Sequence, residues 1–243
     1  MRRLGMTGIN NGIMEALELL LSLDGEIYSI IGLSLFVSLS STFLSTFIAL
    51  PVGVYIANNK FKGKKTIVRI INTFMGLPPV VAGLIVYLLL TRTGPFGEYR
   101  LLFSINAMII AQILIVTPII TGLTISAVHL KVNAVKDTCH GLGIGRFKTI
   151  ILLLNECKYP IVSAVMAGYG RAISEVGAIM LVGGNIQYKT RVMTTAIVLE
   201  TGKGNYGKAL ALGITLLIIS FGINWVVSSI QEGKDYESRN QES

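Results

Sequence analysis

Five blocks of apolar residues, each long enough to cross a bilayer, constrain this chain more than any other feature. They lie at about 27–57 ("IYSIIGLSLFVSLSSTFLSTFIALPVGVYIA"), 66–91, 102–128, 159–182 and 209–230. A helix needs ~20 mainly apolar residues to span ~30 Å of hydrocarbon, whereas a barrel strand needs only ~10 and alternates with period two. These blocks are too long and too uniform for strands. The sequence therefore predicts an all-α integral membrane protein with five transmembrane helices. Composition agrees: 52% of the 243 residues are hydrophobic and 14% charged, against about 25% charged in soluble domains. One soluble domain of this length could not hide that much apolar surface beneath so few charges.

The chain divides into an N-terminal segment (1–26), a membrane domain (27–230) and a polar tail (231–243). Arg2 and Arg3 are followed by "GMTGINNG" rather than an apolar core, so the start does not read as a secretion signal. "MEALELLLSL" (14–23) reads as a short amphipathic helix at the membrane surface, and Met14 offers a second start. The tail "QEGKDYESRNQES" reads as disordered.

Lysine and arginine set the expected sidedness. Lys60, Lys62, Lys64, Lys65 and Arg69 crowd one loop, and Lys131, Lys136, Arg146, Lys148 and Lys158 mark the segment 129–158. Placing both in the cytoplasm puts the C-terminus inside and the N-terminus outside, with twelve basic residues inside and eight outside. This is the pattern of a multi-pass membrane protein. The net charge of +8 suits anionic lipid headgroups and calls for no nucleic acid.

Two interruptions in the apolar blocks point to a pathway. Pro78-Pro79, inside "GLPPVVAG", removes backbone hydrogen bonds that lipid cannot replace. The freed carbonyls need protein or a water-filled cavity, so an opened bend facing a pathway is expected, whereas Pro118 alone reads equally as a kink. Arg171 and Glu175 stand in "GRAISEVGAIMLVGGN". Counted from Lys158, Arg171 is ~20 Å into the fourth block, too deep for its head to reach the interface. An unpaired arginine there costs at least ~2.5 kcal/mol, and Glu175, on the same helical face at i+4, can neutralise it. The pair reads either as a packing device or as a polar seam for an anion. Ser174, Gly177 and Asn185 belong to the same stretch.

The segment 134–156, "AVKDTCHGLGIGRFKTIILLLNE", has helical periodicity and a glycine stop. It resembles the cytoplasmic loop of permease subunits of ABC importers, which reads Glu-Ala-Ala, three residues, Gly, nine residues, Ile-x-Leu-Pro. Asp137-Thr138-Cys139 stands at the triplet and Gly143 at the glycine, while Leu153-Leu154-Asn155-Glu156 replaces the closing tetrad. "GLPPVVAGLIVYLLLTRTGPFG" (76–97), "GRAISEVGAIMLVGGNI" (170–186) and "KTRVMTTAIVLET" (189–201) are similar to molybdate and tungstate permeases, in the same order, the tungstate type most. The resemblance covers roughly 28–230.

It implies a homodimeric pore for an oxyanion, most simply tungstate, in a prokaryotic plasma (inner) membrane. Two cytoplasmic ATP-binding subunits would dock on Ala134, Asp137, Thr138, Cys139, Gly143, Ile144 and Arg146, and an external binding protein would deliver the cargo. ATP and magnesium would be used by the partner subunits; no cofactor or metal is expected on this chain, which would be non-catalytic. Pro78, Pro79, Arg171, Ser174, Glu175, Gly177 and Asn185 are the candidate pathway residues.

Other patterns in the chain carry weaker signals. "GKGNYGKA" (202–209) nearly matches a phosphate-cradling loop, but Ala209 stands where a magnesium-binding hydroxyl is needed, so an exposed turn is expected. His129, Cys139, His140 and Cys157 lack the paired spacing of a zinc site. Molybdate or sulfate remain alternative cargoes. A stand-alone secondary anion carrier is the rival of another class, but it predicts inverted repeats, which the sequence does not display.

Overall fold

The computed structural model describes residues 25–241, so the amphipathic segment 14–23 lies outside the described residues. Among those residues the chain forms nine α-helices and one short 3-10 turn, with no strand. Three helices are long and apolar enough to cross a membrane: α1 (Gly25–Asn58), α4 (Ile105–Gly141) and, in its first part, α9 (Tyr206–Gln241). Two bent pairs bring the number to five when each is counted as one span, the first over the second predicted block and the second over only the first part of the fourth. Helix α2 (Lys64–Met75) meets α3 (Pro79–Leu90) at 99°, and α5 (Arg146–Glu156) meets α6 (Lys158–Ile173) at 68°. Helices α7 (Gly177–Gly183) and α8 (Met193–Lys203) complete the set.

Helices α1 and α4 form the spine. One face of α1 carries Ser34, Ser38, Ser41, Thr42 and Ser45, all buried. Most of these hydroxyls donate back along the helix, as Ser38 does to the Ser34 carbonyl at 2.7 Å, so small side chains let the two backbones approach. At Gly53 a Cβ would meet the Thr124 side chain at 2.9 Å, so the two helices are close there. Apolar clusters flank this spine: Val37, Val86, Met108 and Ile179 toward one end, Val54, Val128, Leu153 and Ile161 toward the other. Phe36, Phe43, Phe47, Leu217, Phe221 and other large apolar side chains stay exposed on the outer faces of α1 and α9, as hydrocarbon solvent requires.

The two basic segments meet at one end of the bundle. Lys64 donates to the carbonyls of Ala57 (3.0 Å) and Asn59 (3.1 Å), and Lys136 donates to that of Asn58. At the opposite end Glu26, at the start of α1, binds Lys208 at 2.6 Å and Arg191 at 3.3 Å.

Four expectations are corrected. The fourth block is not one helix: α6 stops at Ile173, and α7 begins at Gly177. The third continues as one helix to Gly141, so residues 129–141 are its extension rather than a loop, and Pro118 does not interrupt it. The stretch 193–203, left outside the five predicted spans, forms a further helix. The polar tail continues α9 to Gln241.

Candidate functional site

The two interruptions foreseen in separate blocks come together in space. Pro78 is extended (φ −60°, ψ 127°) and Pro79 opens α3, where its missing N–H costs nothing. Just beyond, α3 crosses α7. A Cβ on Gly83 would lie 2.6 Å from the Ala178 Cα, and one on Gly177 would lie 2.8 Å from the Val80 side chain. Glycine is required at Gly83, where backbone closes the gap, whereas at Gly177 a Cβ would press on a side chain.

Glu175 sits in the break between α6 and α7 and is 4% exposed. Its Oε1 accepts from the Ala178 N–H at 3.2 Å, which satisfies an otherwise open donor of α7. Its carbonyl accepts from the Thr194 hydroxyl at 2.8 Å. Its Oε2 is 3.7 Å from the Arg171 guanidinium, which is 39% exposed. The pair therefore forms, but as a contact across a helix end, because Glu175 lies beyond the end of α6 instead of on its face. Ser174 is exposed, its hydroxyl donating to Gly170 at 2.8 Å.

Pro78, Pro79, Arg171, Ser174, Glu175 and Gly177 thus share one region. Asn185 does not: α7 separates it from Gly177 by ~10 Å of helical rise. It follows the left-handed Gly184 and is itself left-handed (φ 50°), with its Oδ1 buried and unpartnered.

Gln112 and Thr194 complete the site and were not singled out from the sequence. Gln112 is fully buried; its Oε1 accepts from Ser41 at 2.5 Å and its Nε2 donates to the Ala172 carbonyl at 2.9 Å. The Glu175 N–H also reaches that carbonyl, at 3.3 Å. Gln112 thereby ties α1, α4 and the end of α6 into one node behind the break. A neutral amide in an apolar run is a weak signal, and the hydroxyl of Thr194 is weaker still.

At the basic end, Asp137, Thr138 and Cys139 occupy the last turns of α4. The Ile144 N–H donates to the Cys139 carbonyl (2.8 Å) and the Gly143 N–H to that of His140 (3.1 Å), with Gly143 left-handed (φ 68°). This pairing is a Schellman motif and makes the expected glycine stop. Ala134, Asp137 and Thr138 are exposed, Ile144 is half-buried, and Cys139 is buried, so the triplet presents only part of itself. Arg146 begins α5. Leu142 and Phe147, 70% and 77% exposed, flank the turn as two apolar knobs that the sequence reading passed over.

The remaining patterns resolve simply. Residues 202–209 form a turn on the left-handed Gly204 between α8 and α9, and Lys208 there is held by Glu26. Among the described residues, no group of three or more His, Cys, Asp or Glu side chains converges.

Comparison with known proteins places the whole architecture. Residues 49–234 match the family described as binding-protein-dependent transport system inner membrane component. The chain is 41% identical over 227 residues to the tungstate uptake system permease protein TupB of Peptoclostridium acidaminophilum, covering 93% of this chain and all of that one. It is 34% identical over 231 residues to TupB of Campylobacter jejuni, covering 95% and 97%. It is 40% identical over 201 residues to a probable anion ABC transporter permease protein of Haloferax volcanii, covering 81% and 87%. The chain is a multi-pass membrane protein and belongs to the family of inner membrane components of binding-protein-dependent transport systems.

Proposed function

We propose that this chain is the pore-forming subunit of an ABC importer for tungstate, working as a homodimer. The observation that carries the reading is its 41% identity to a tungstate uptake permease along that protein's whole length. Two ATP-hydrolysing subunits dock in the cytoplasm on the Schellman turn, where Leu142 and Phe147 supply apolar contact beside the exposed Asp137 and Thr138. An external protein delivers the oxyanion to the end that holds Glu26. The N-terminus lies outside and the C-terminus inside. ATP and magnesium act on the partner subunits, and this chain supplies a route and a lever with no covalent chemistry of its own.

The route runs past the paired breaks. Arg171 offers a partly exposed cation to a divalent tetrahedral oxyanion, and the buried Glu175 offsets that charge at rest. An uncompensated arginine would hold the anion too firmly to release it; a half-compensated one binds transiently. ATP-driven closure of the partner subunits would move α4 and α5 and shift the breaks between two faces of the membrane.

The test is reconstitution of the chain with its ATP-hydrolysing subunits and binding protein in liposomes. Tungstate uptake should require ATP. Arg171→Gln should reduce uptake about tenfold, the scale of one lost charge-assisted contact, while the ATP-hydrolysing subunits still co-purify. Unchanged uptake removes Arg171 from the route. Uptake by the chain alone, without ATP, would point to the stand-alone carrier.

A further inference from the structure

The C-terminal end of α1 presents open carbonyls and the negative pole of the helix dipole, yet α1 has no basic residue in its own last turn. Two lysines from other elements supply the missing donors. Lys64, from the first turn of α2, reaches the carbonyls of Ala57 and Asn59, and Lys136, from α4, reaches that of Asn58. Lys136 is half-buried and immediately precedes the Asp137–Cys139 triplet.

Its position on α4 gives this bond a mechanical meaning. Helix α4 runs unbroken from Ile105 to Gly141, so Gln112 and Lys136 lie on one rod, ~36 Å apart by helical rise. Both residues tie that rod to α1, Gln112 through Ser41 and Lys136 through Asn58. The two helices are therefore pinned at two heights. Around the lower pin lies a cavity of about 820 Å³, lined among others by Tyr55, Asn58, Lys136, Asp137, His140 and Ile144. Beyond the apolar packing of Val54, Ile56 and Ala57 on α1 against Val128 and Val132 on α4, Lys136 is a direct polar link between the end of α4 that carries the turn and the end of α1.

Resting on the reading of the chain as an ABC importer subunit, we infer that Lys136 is the positioning residue that joins the Schellman turn to α1, so that a push on the turn moves α1 and α4 as one body. Without it the turn moves, α1 lags, and the node at Gln112 and Ala172 receives only part of the displacement. Hydrolysis of ATP then continues with little cargo moved.

The experiment measures tungstate transported per ATP hydrolysed by the complete transporter in liposomes. Lys136→Met should lower that ratio about tenfold, within the range of a coupling free energy of 1–3 kcal/mol, with ATP hydrolysis maintained. Lys136→Arg, which keeps a cationic donor, should restore it. Lys65→Met, which removes an exposed charge from the neighbouring segment, should leave it unchanged. An unchanged ratio in Lys136→Met, or an equal loss of hydrolysis and uptake, overturns the inference. If Lys136→Met does not assemble, Lys136→Gln decides by the same ratio; failure of both to assemble assigns the lysine to folding and also overturns it. The underlying reading fails separately, when the unaltered transporter shows no ATP-dependent uptake.

Discussion

The Arg171–Glu175 contact spans 3.7 Å with one partner partly open, so its Coulomb contribution is small beside the backbone hydrogen bonds that hold Glu175. Glu175→Gln keeps an acceptor for the Ala178 N–H, whereas Glu175→Ala leaves that donor open at the start of α7. Thermal unfolding in detergent should show Glu175→Ala about 1–2 kcal/mol less stable, the cost of a lost cap, and Glu175→Gln less than half as affected. Glu200 carries a pH prediction. Burial pushes its carboxyl up, but hydrogen bonds from Asn205 and Lys203 and the charges of Lys203 and Lys208 outweigh burial and hold it below the usual range. A carboxyl lowered on folding stabilises the protein above its unfolded value, about 4.3, and loses that contribution as pH falls through the folded value. Melting temperature followed from pH 6 downward should drop more steeply in the natural chain below about pH 4.3 than in Glu200→Gln. Residues were legible where charge broke an apolar run, which is why Arg171 and Glu175 stood out. Gln112, Thr194 and Lys136 did not, because their roles come from partners 60 to 78 positions away or from a backbone carbonyl in the break between α6 and α7.

At the level of elements, the apolar blocks marked the three unbroken spans and the bent pair over 64–90, and the doubled proline marked the sharper of the two bends. The break at 174–176 was not legible: it contains no proline or glycine, and it persists because the Glu175 side chain caps α7 while Thr194 takes its carbonyl. Tertiary bonds thus overrode a helical pattern. The length of α4 was hidden for a related reason, since its last turns leave the apolar block and continue on polar residues up to the glycine stop. The crossing of α3 and α7 yields a test of packing. Gly83→Val would press a Cβ to 2.6 Å from the Ala178 Cα, and backbone cannot yield as a side chain can. It should destabilise by about 1–3 kcal/mol or more and lower uptake, because the two breaks would part. Gly170→Ala meets nothing within 4 Å in the interior of α6 and should be neutral or stabilising by up to about 1 kcal/mol. Equal melting temperatures for the two variants would contradict the crossing.

For the whole molecule, the distribution of lysine and arginine correctly grouped the two basic segments at one end, since helices of alternating direction must return there. Which helices touch was not readable, because apolar stripes facing lipid and apolar stripes facing protein look alike in sequence. The opposite end depends on one residue. Glu26 binds Lys208 at the start of α9, Arg191 before α8, and Gln187 at 3.0 Å, fastening three segments that lie more than 160 positions along the chain. Its side chain is only 17% exposed, and those of Arg191 and Lys208 are 12% and 22%, so water can replace little of what a substitution removes. Glu26→Gln leaves two cations facing a neutral amide and should cost about 1.5–3 kcal/mol, the range for hydrogen bonds to charged groups. Lys208→Met should cost less, since Glu26 keeps Arg191 and Gln187. The exposed pair Lys131–Glu156, 50% and 57% open, provides the scale, because Glu156→Gln should cost no more than about 1 kcal/mol. Melting temperatures in detergent should therefore fall in the order Glu156→Gln, Lys208→Met, Glu26→Gln, the last being the lowest. A Glu26→Gln shift no larger than that of Glu156→Gln would mean that apolar packing of α1 against α4, rather than this cluster, holds this end together.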